Sequence, residues 1–215
     1  MTAVSFGATK STSPTQDDYN QLYYIVEHIR AMADKGHRIY IGTSSAIQLY
    51  CEVDAIYLIH SDSKGHIGYT MGQHPNSTFY NRSAKQTLIS TSSTHAEMRA
   101  LCTMVKDMLF IKNICSELNI SLLLPDVIME DNSAVVTVSN EESAYLKKCK
   151  HFMVVNYVRE QLELGLIQVL KIKGELKNAD LHTNKLRDKS FATKKSRQRP
   201  RLSSEARHEC LGSRG

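Results

Sequence analysis

Four acidic residues each stand where an apolar run meets a turn or a helix start: Asp54 in QLYCEVDAIYLI, Glu97 in STHAEMRAL, Asp131 in VIMEDNSAVV and Asp180 in ELKNADLHTNKL. A carboxylate inside or at the tip of an apolar strand carries a desolvation penalty, which a divalent cation shared among several carboxylates offsets. The chain is thereby constrained to a fold that brings the ends of distant elements together, and the order of the four suggests one metal-binding cluster.

The patterning around these residues predicts the elements that would carry them. After Ser13-Pro14, Leu22, Ile25, Val26, Ile29 and Met32 recur at helical spacing, and Lys35-Gly36 closes that helix. From Ile47 the pattern changes to three β-prone runs, QLYCEVDAIYLI, HIGYTMG and STFYN, separated by turn residues as in an antiparallel meander. A long helix starts at Ser93 or Thr94, shows an apolar face of Met98, Leu101, Cys102, Val105 and Leu109, and ends near Leu118-Asn119, long enough to cover a sheet face. Pro125 introduces the short strand DVIME, the turn at Asp131-Asn132 begins another helix, and MVVNYVREQLELG reads as a helix ended by Gly165. LIQVLKIK is then a strand, and a last short helix is expected close to Ala179-Asp180. The order β-β-β-α-β-α-α-β-α is that of an α/β domain mixing antiparallel and parallel strands. Residues 1–46 form a helical preface, 47–189 the α/β domain, and 190–215, polar, basic and aperiodic, a tail expected to be disordered.

Composition narrows the class. With 215 residues and 41% hydrophobic content, one ordinary domain with extensions is the default. The net charge of +5 owes much to the tail KKSRQRPR, which excludes a strongly basic nucleic-acid coat protein. Five cysteines without a C-x-x-C pair, three of them (Cys51, Cys102, Cys115) at apparent core positions, fit a reducing intracellular setting, cytoplasmic or nuclear and not secreted. No apolar run reaches membrane-spanning length and the amino terminus lacks a secretory-type stretch, so a soluble protein without a membrane partner is expected.

Each acidic residue also has a purely structural reading. Thr94-x-x-Glu97 is a capping box, Asp131 is a good helix N-cap, and Asp180 could cap the final helix. Asp54 interrupts a strand that is apolar around it and resists such an account. His60, His66 and His74 lack regular ligand spacing; they are read as solvent-exposed loop histidines, with no zinc site.

These motifs resemble, piece by piece, the ribonuclease H domain of Ty1/copia-type retrotransposon Pol polyproteins. Val53-Asp54-Ala55 resembles the aspartate-alanine of the first strand, and Ser93-Thr94-His95-Ala96-Glu97 the T-E-A-E helix start, with His95 in place of its first glutamate. Asp131-Asn132-Ser133-Ala134 resembles the Asp-Asn turn, and Asn178-Ala179-Asp180-Leu181-His182-Thr183 the late A-D-x-x-T segment. Ser83-Ala84-Lys85-Gln86 and Lys150-His151 add two further likenesses, so that about residues 48 to 188 are covered. The resemblance implies a ribonuclease H-like fold, a mixed five-stranded sheet with helices packed on it, and a preface resembling the segment that joins reverse transcriptase to ribonuclease H. It implies two Mg2+ ions, with Mn2+ able to substitute, held by Asp54, Glu97, Asp131 and Asp180, and hydrolysis of the RNA strand of an RNA-DNA hybrid. Lys85, Asn132, Ser133, Lys150 and His151 are the substrate-binding candidates it points to, and Lys147 and Lys148 further phosphate contacts. With no Y-x-D-D motif, no reverse transcriptase activity is expected, and a partner supplying the polymerase domains of the parent polyprotein is implied. Two readings of different class remain open on the sequence: a metal-dependent endoribonuclease, and an inactive remnant or nucleic-acid-binding module of the same fold. An integrase or transposase core, which would use three acidic residues on DNA ends, is disfavoured by the fourth aspartate.

Overall fold

The computed structural model describes residues 2–33, 46–75, 77–140, 152–177, 179 and 183, apart from the side chains of residues 32, 152 and 175. In chain order its elements are α1 (Thr2–Ala8), α2 (Gln16–Met32), β1 (Ala46–Ile47), β2 (Tyr50–Ile56), β3 (His66–His74), β4 (Ser77–Lys85), α3 (Ser93–Glu117), β5 (Ser121–Leu122), β6 (Asp126–Glu130), α4 (Ser133–Asn140), α5 (Phe152–Glu163) and β7 (Ile167–Lys171). A 3-10 turn over Gly174–Leu176 follows. The expected last helix near Ala179-Asp180 and the basic tail fall outside the described residues, apart from Ala179 itself.

β2, β3 and β4 form the antiparallel meander, and β6 and β7 join it in parallel, giving one five-stranded sheet in the order β4-β3-β2-β6-β7. This is the mixed five-stranded sheet with helices packed on it that the resemblance implies. β1 and β5 make a separate parallel pair that sequence patterning did not suggest.

Period-two alternation explains how β2 serves both core and site. Cys51 and Val53 enter a core shared with Tyr69 and Met71 of β3, Ile128 of β6 and Val169 of β7. α3 covers that core with Met98, Leu101, Met104, Val105 and Met108, and α5 adds Val155 and Val158. Burial of each of these larger side chains contributes about 1.5–3 kcal/mol. Glu52 and Asp54 occupy the alternate positions of β2 and are buried as well, under conditions that only polar partners can support.

Local signals set the boundaries. Ser92 caps α3 by accepting the His95 amide at 3.1 Å, so Thr94 is not the cap and the capping-box reading of Glu97 is corrected. Asn132, not Asp131, caps α4: its Oδ1 accepts the amides of Ala134 at 3.0 Å and Val135 at 3.4 Å. α5 gives way at Gly165, whose φ of 66° suits a residue without a Cβ. α2 begins with a true capping box between Thr15 and Asp18. Its apolar residues Leu22 and Ile29 nevertheless stay more than half exposed.

The reading of the histidines as solvent-exposed holds for His74 and is corrected for His66. His66 is fully buried on β3, its Nδ1 3.0 Å from His60 Nε2 and its Nε2 2.8 Å from Ser83 Oγ. Phe6 of α1 stacks on both rings, 4.4 Å from His66 and 4.9 Å from His60.

Candidate metal centre

Three elements far apart in sequence deliver three carboxylates to one point. Asp54 comes from the later part of β2, Glu97 from the second turn of α3, and Asp131 from the residue directly after β6. One ligand oxygen from each lies within 4.8 Å of the other two. The capping roles that sequence reasoning offered Glu97 and Asp131 are filled by Ser92 and Asn132, which leaves both carboxylates for the cluster. Asp180 lies outside the described residues.

Two more charged groups belong to this place and were missed from the sequence. Glu130 is fully buried beside Asp131 and accepts the Asn132 amide on Oε1 at 2.8 Å. Period two in DVIME puts Glu130 on the same face as buried Ile128, a signal that could have found it. Lys177 is also fully buried: its Nζ lies 3.0 Å from Asp54 Oδ1, donates to Asp131 Oδ1, and is 3.8 Å from Glu130 Oε1. Its position three residues before Asp180 was the only hint in the sequence. Thr183 donates its hydroxyl to Asp54 Oδ2, and the Ala179 amide donates to Glu52 Oε2 at 3.2 Å, so these two residues are tied to β2.

Four carboxylates share one ammonium, and their titration reflects this. Burial, reinforced by the charge of Glu130, pushes Glu97 up to about 10. Burial likewise raises Glu130 to about 7, against the pull of Lys177 and the Asn132 amide. Burial alone would raise Asp131 too, but its hydrogen bond to Lys177 and that ammonium's charge hold it below the usual carboxylate range. For Lys177, burial disfavours the charge, and Asp54, Glu130 and Glu97 together overcome it and raise the ammonium's pKa.

The cluster fits a divalent cation. Its donors are hard carboxylate oxygens, with neither thiolate nor imidazole among the described members. Among the described residues, Glu97 Oε2 and Glu130 Oε2 are buried with no hydrogen-bond partner, and an unpaired buried oxygen of this kind is costly.

The remaining predicted residues lie around this centre or beyond description. Ser133 Oγ accepts from Lys171 Nζ at 2.6 Å, and the same ammonium reaches the Asp131 carbonyl, fixing the turn that presents Asp131. Lys85 at the end of β4 pairs with Asp62 at 2.8 Å. Lys147, Lys148, Lys150 and His151 lie outside the described residues. Cys51, Cys102 and Cys115 are free and buried, as their core-like placement suggested. No helix of the described residues is long and apolar enough to cross a membrane.

No protein-family model matches the chain. Among curated proteins, the retrovirus-related Pol polyproteins from transposons RE2 and RE1 of Arabidopsis thaliana are each 27% identical over 183 residues. The match takes in 83% of this chain and 12% of each polyprotein, so the chain spans about an eighth of the relatives it matches. Among solved structures, LC11-RNase H1 in complex with an RNA/DNA hybrid is similar at a TM-score of 0.47 and 16% identity, over 67% of this chain and 99% of that one. The PFV RNase H domain is similar at a TM-score of 0.41 and 17% identity, over 69% and 89%. The resemblance to a retrotransposon Pol polyprotein that rested on Asp54, Glu97, Asp131 and the Ala179-Asp180 segment thus extends over most of the chain.

Proposed function

We propose that this chain is the ribonuclease H part of a Ty1/copia-type retrotransposon Pol polyprotein and hydrolyses the RNA strand of RNA-DNA hybrids. The observation that carries the reading is the convergence of Asp54, Glu97 and Asp131 from β2, α3 and the end of β6 to within 4.8 Å. Likeness to Pol polyproteins across 83% of the chain supports it independently.

Asp54 would be the shared ligand, Glu97 and Asp131 would complete one side, and Asp180 is assigned to the other side on the resemblance alone. Mg2+ suits this donor set, with Mn2+ as its substitute; two such ions held by these carboxylates would supply an activated water and stabilisation of the leaving 3′ oxygen. The protein's own contribution is to hold the carboxylates in place before substrate arrives. Lys171 fixes the Asp131-Ser133 turn, Asn132 caps α4 behind it, and Ser92 starts α3 so that Glu97 falls on its inner face. Lys85 would exchange Asp62 for a backbone phosphate, and Asn132, Ser133, Lys150 and His151 complete the proposed hybrid contacts. Recognition of hybrid shape and of the RNA 2′-hydroxyl gives little base preference. The partners on this reading are the hybrid and the reverse transcriptase domains of the parent polyprotein, in the cytoplasm or nucleus.

The test is cleavage of a labelled RNA-DNA hybrid with Mg2+ or Mn2+ by the protein and by its Asp131→Asn variant, both shown to be folded by circular dichroism. Metal-dependent cutting that the variant loses is expected. A folded protein that binds hybrid without cutting it would instead be the inactive binding module.

A further inference from the structure

The ammonium of Lys177 lies between two carboxylates of the trio. Its Nζ contacts Asp54 Oδ1 at 3.0 Å and Asp131 Oδ1 in a hydrogen bond, and those two residues belong to the carboxylate trio. An ion held between Asp54 and Asp131 would draw on the same two carboxylates, and a divalent and a monovalent cation packed side by side repel each other in a buried site. The lysine is fully buried, so its charge is not screened away by water.

The backbone around Lys177 is held by bonds that do not involve its ammonium. Lys177 follows the 3-10 turn, its amide bonded to the Gly174 carbonyl at 3.1 Å, and the Ala179 amide two residues on is anchored on Glu52. The backbone is held on both sides while the charge rides on a flexible four-carbon stem. The acidic groups of the cluster outnumber its one ammonium, which favours a cation of higher charge in its place.

We propose that Lys177 is a built-in counter-cation: it holds Asp54, Glu130 and Asp131 together in the metal-free protein, and a divalent ion must displace it to bind. Lys177 is then an internal competitor that weakens metal affinity and lets the fold survive without metal. This inference rests on reading the cluster as a metal centre, and its test separates the two.

Mn2+ binding to the full chain is measured by titration calorimetry for the wild type, Lys177→Met and Asp131→Asn, with thermal unfolding of each at zero and saturating Mn2+. Competition predicts that Lys177→Met binds Mn2+ at least tenfold tighter than the wild type. Its metal-free melting temperature is lower, and its gain on adding Mn2+ is larger. Equal or weaker binding by a folded Lys177→Met, with binding abolished in Asp131→Asn, overturns the competition and leaves the metal centre standing. A folded wild type and Lys177→Met that both fail to take up Mn2+ overturn the metal centre and the competition together. If Lys177→Met does not fold, amine-reactive labelling of the wild type, read by mass spectrometry, decides. Lys177 is protected without metal and becomes labelled as Mn2+ saturates, whereas protection that persists at saturation overturns the proposal.

Discussion

Gln86 donates its side-chain amide to the Ala96 carbonyl at 2.9 Å, one residue before Glu97. Ser90 Oγ donates to Gln86 Oε1 at 2.9 Å, and the Gln86 amide donates to the Gly65 carbonyl at 2.8 Å. A residue just past β4 therefore clamps the first turn of α3 and fixes where Glu97 enters the cluster. This gives a physical content to the Ser83-Ala84-Lys85-Gln86 likeness. Replacing Gln86 with Leu leaves the Ser90 hydroxyl buried without its acceptor. We expect a loss of about 1–3 kcal/mol in stability, read by urea unfolding. Mn2+ affinity should fall with it because Glu97 is no longer held; an unchanged affinity in the folded variant would show that α3 positions Glu97 without Gln86.

Glu97→Gln should separate stability from metal binding. Burial and the neighbouring Glu130 push Glu97 up to about 10, so at neutral pH without metal the carboxyl is protonated and glutamine matches it in shape and charge. Metal-free stability is expected to change by less than about 1 kcal/mol. The stabilisation by added Mg2+ should disappear, and hybrid cleavage should fall at least about a hundredfold, roughly 2.7 kcal/mol in the barrier. A large destabilisation without metal would mean that Glu97 is ionised there and that its environment has been misread.

Much of this architecture is legible in local pattern because local physics decides it. The strand read in DVIME is observed as Asp126–Glu130, and the long helix spans Ser93–Glu117 as its apolar spacing required. Asp54, Glu97 and Asp131 were recoverable because carboxylates in apolar surroundings need an explanation wherever they occur. What escaped depends on tertiary arrangement. Lys177 is buried only because carboxylates from elsewhere in the chain meet it, and apart from the nearby Asp180 nothing in KGELKNAD sets it off from a solvated lysine. Ser92, Ser93 and Thr94 are chemically equivalent caps in sequence, and only the turn after β4 selects Ser92. His66 looked like a loop histidine because its burial comes from α1, some 60 residues earlier.

Lys112 and Asp126 form an ion pair at 2.9 Å between a fully buried carboxylate and a nearly buried ammonium. Asp126 Oδ1 also accepts the Leu49 amide at 2.9 Å, so the pair joins α3 to the start of β6 and to the approach to β2. Lys112→Met strands a buried charge and should cost about 3–5 kcal/mol. Adding Asp126→Asn keeps an acceptor for Leu49 and removes that charge, so the double variant should recover much of the loss. The check is a double-mutant cycle by chemical denaturation. Additive costs in the cycle would show that the two side chains are not coupled.

Acid should destabilise the contact between α1 and the sheet through His66. Burial first, and the neighbouring His60 second, lower His66 from its ordinary 6.5 to about 4. Lys85 and Lys10 also face His60, with Asp62 opposing them, and burial lowers His60 as well. Because the folded value is depressed, the unfolded chain binds more protons between pH 6.5 and 4. Stability from the neutral ring is therefore complete above about 6.5 and declines as pH falls toward 4. The decline approaches 1.4 kcal/mol per pH unit below 6.5, where the unfolded imidazole is half protonated, so about 1.5 kcal/mol should be lost between pH 6.5 and 5. His66→Gln retains a partner for Ser83 but does not titrate, and its stability should vary less with pH by that amount. Urea unfolding at pH 7.5, 6.5, 5.5 and 5 for both proteins measures the difference, and parallel curves would place the acid sensitivity at other groups. Because Phe6 of α1 covers both rings, hydrating a protonated His66 beside His60 requires α1 to lift, and the amides of residues 2–8 should lose hydrogen-exchange protection before those of the sheet.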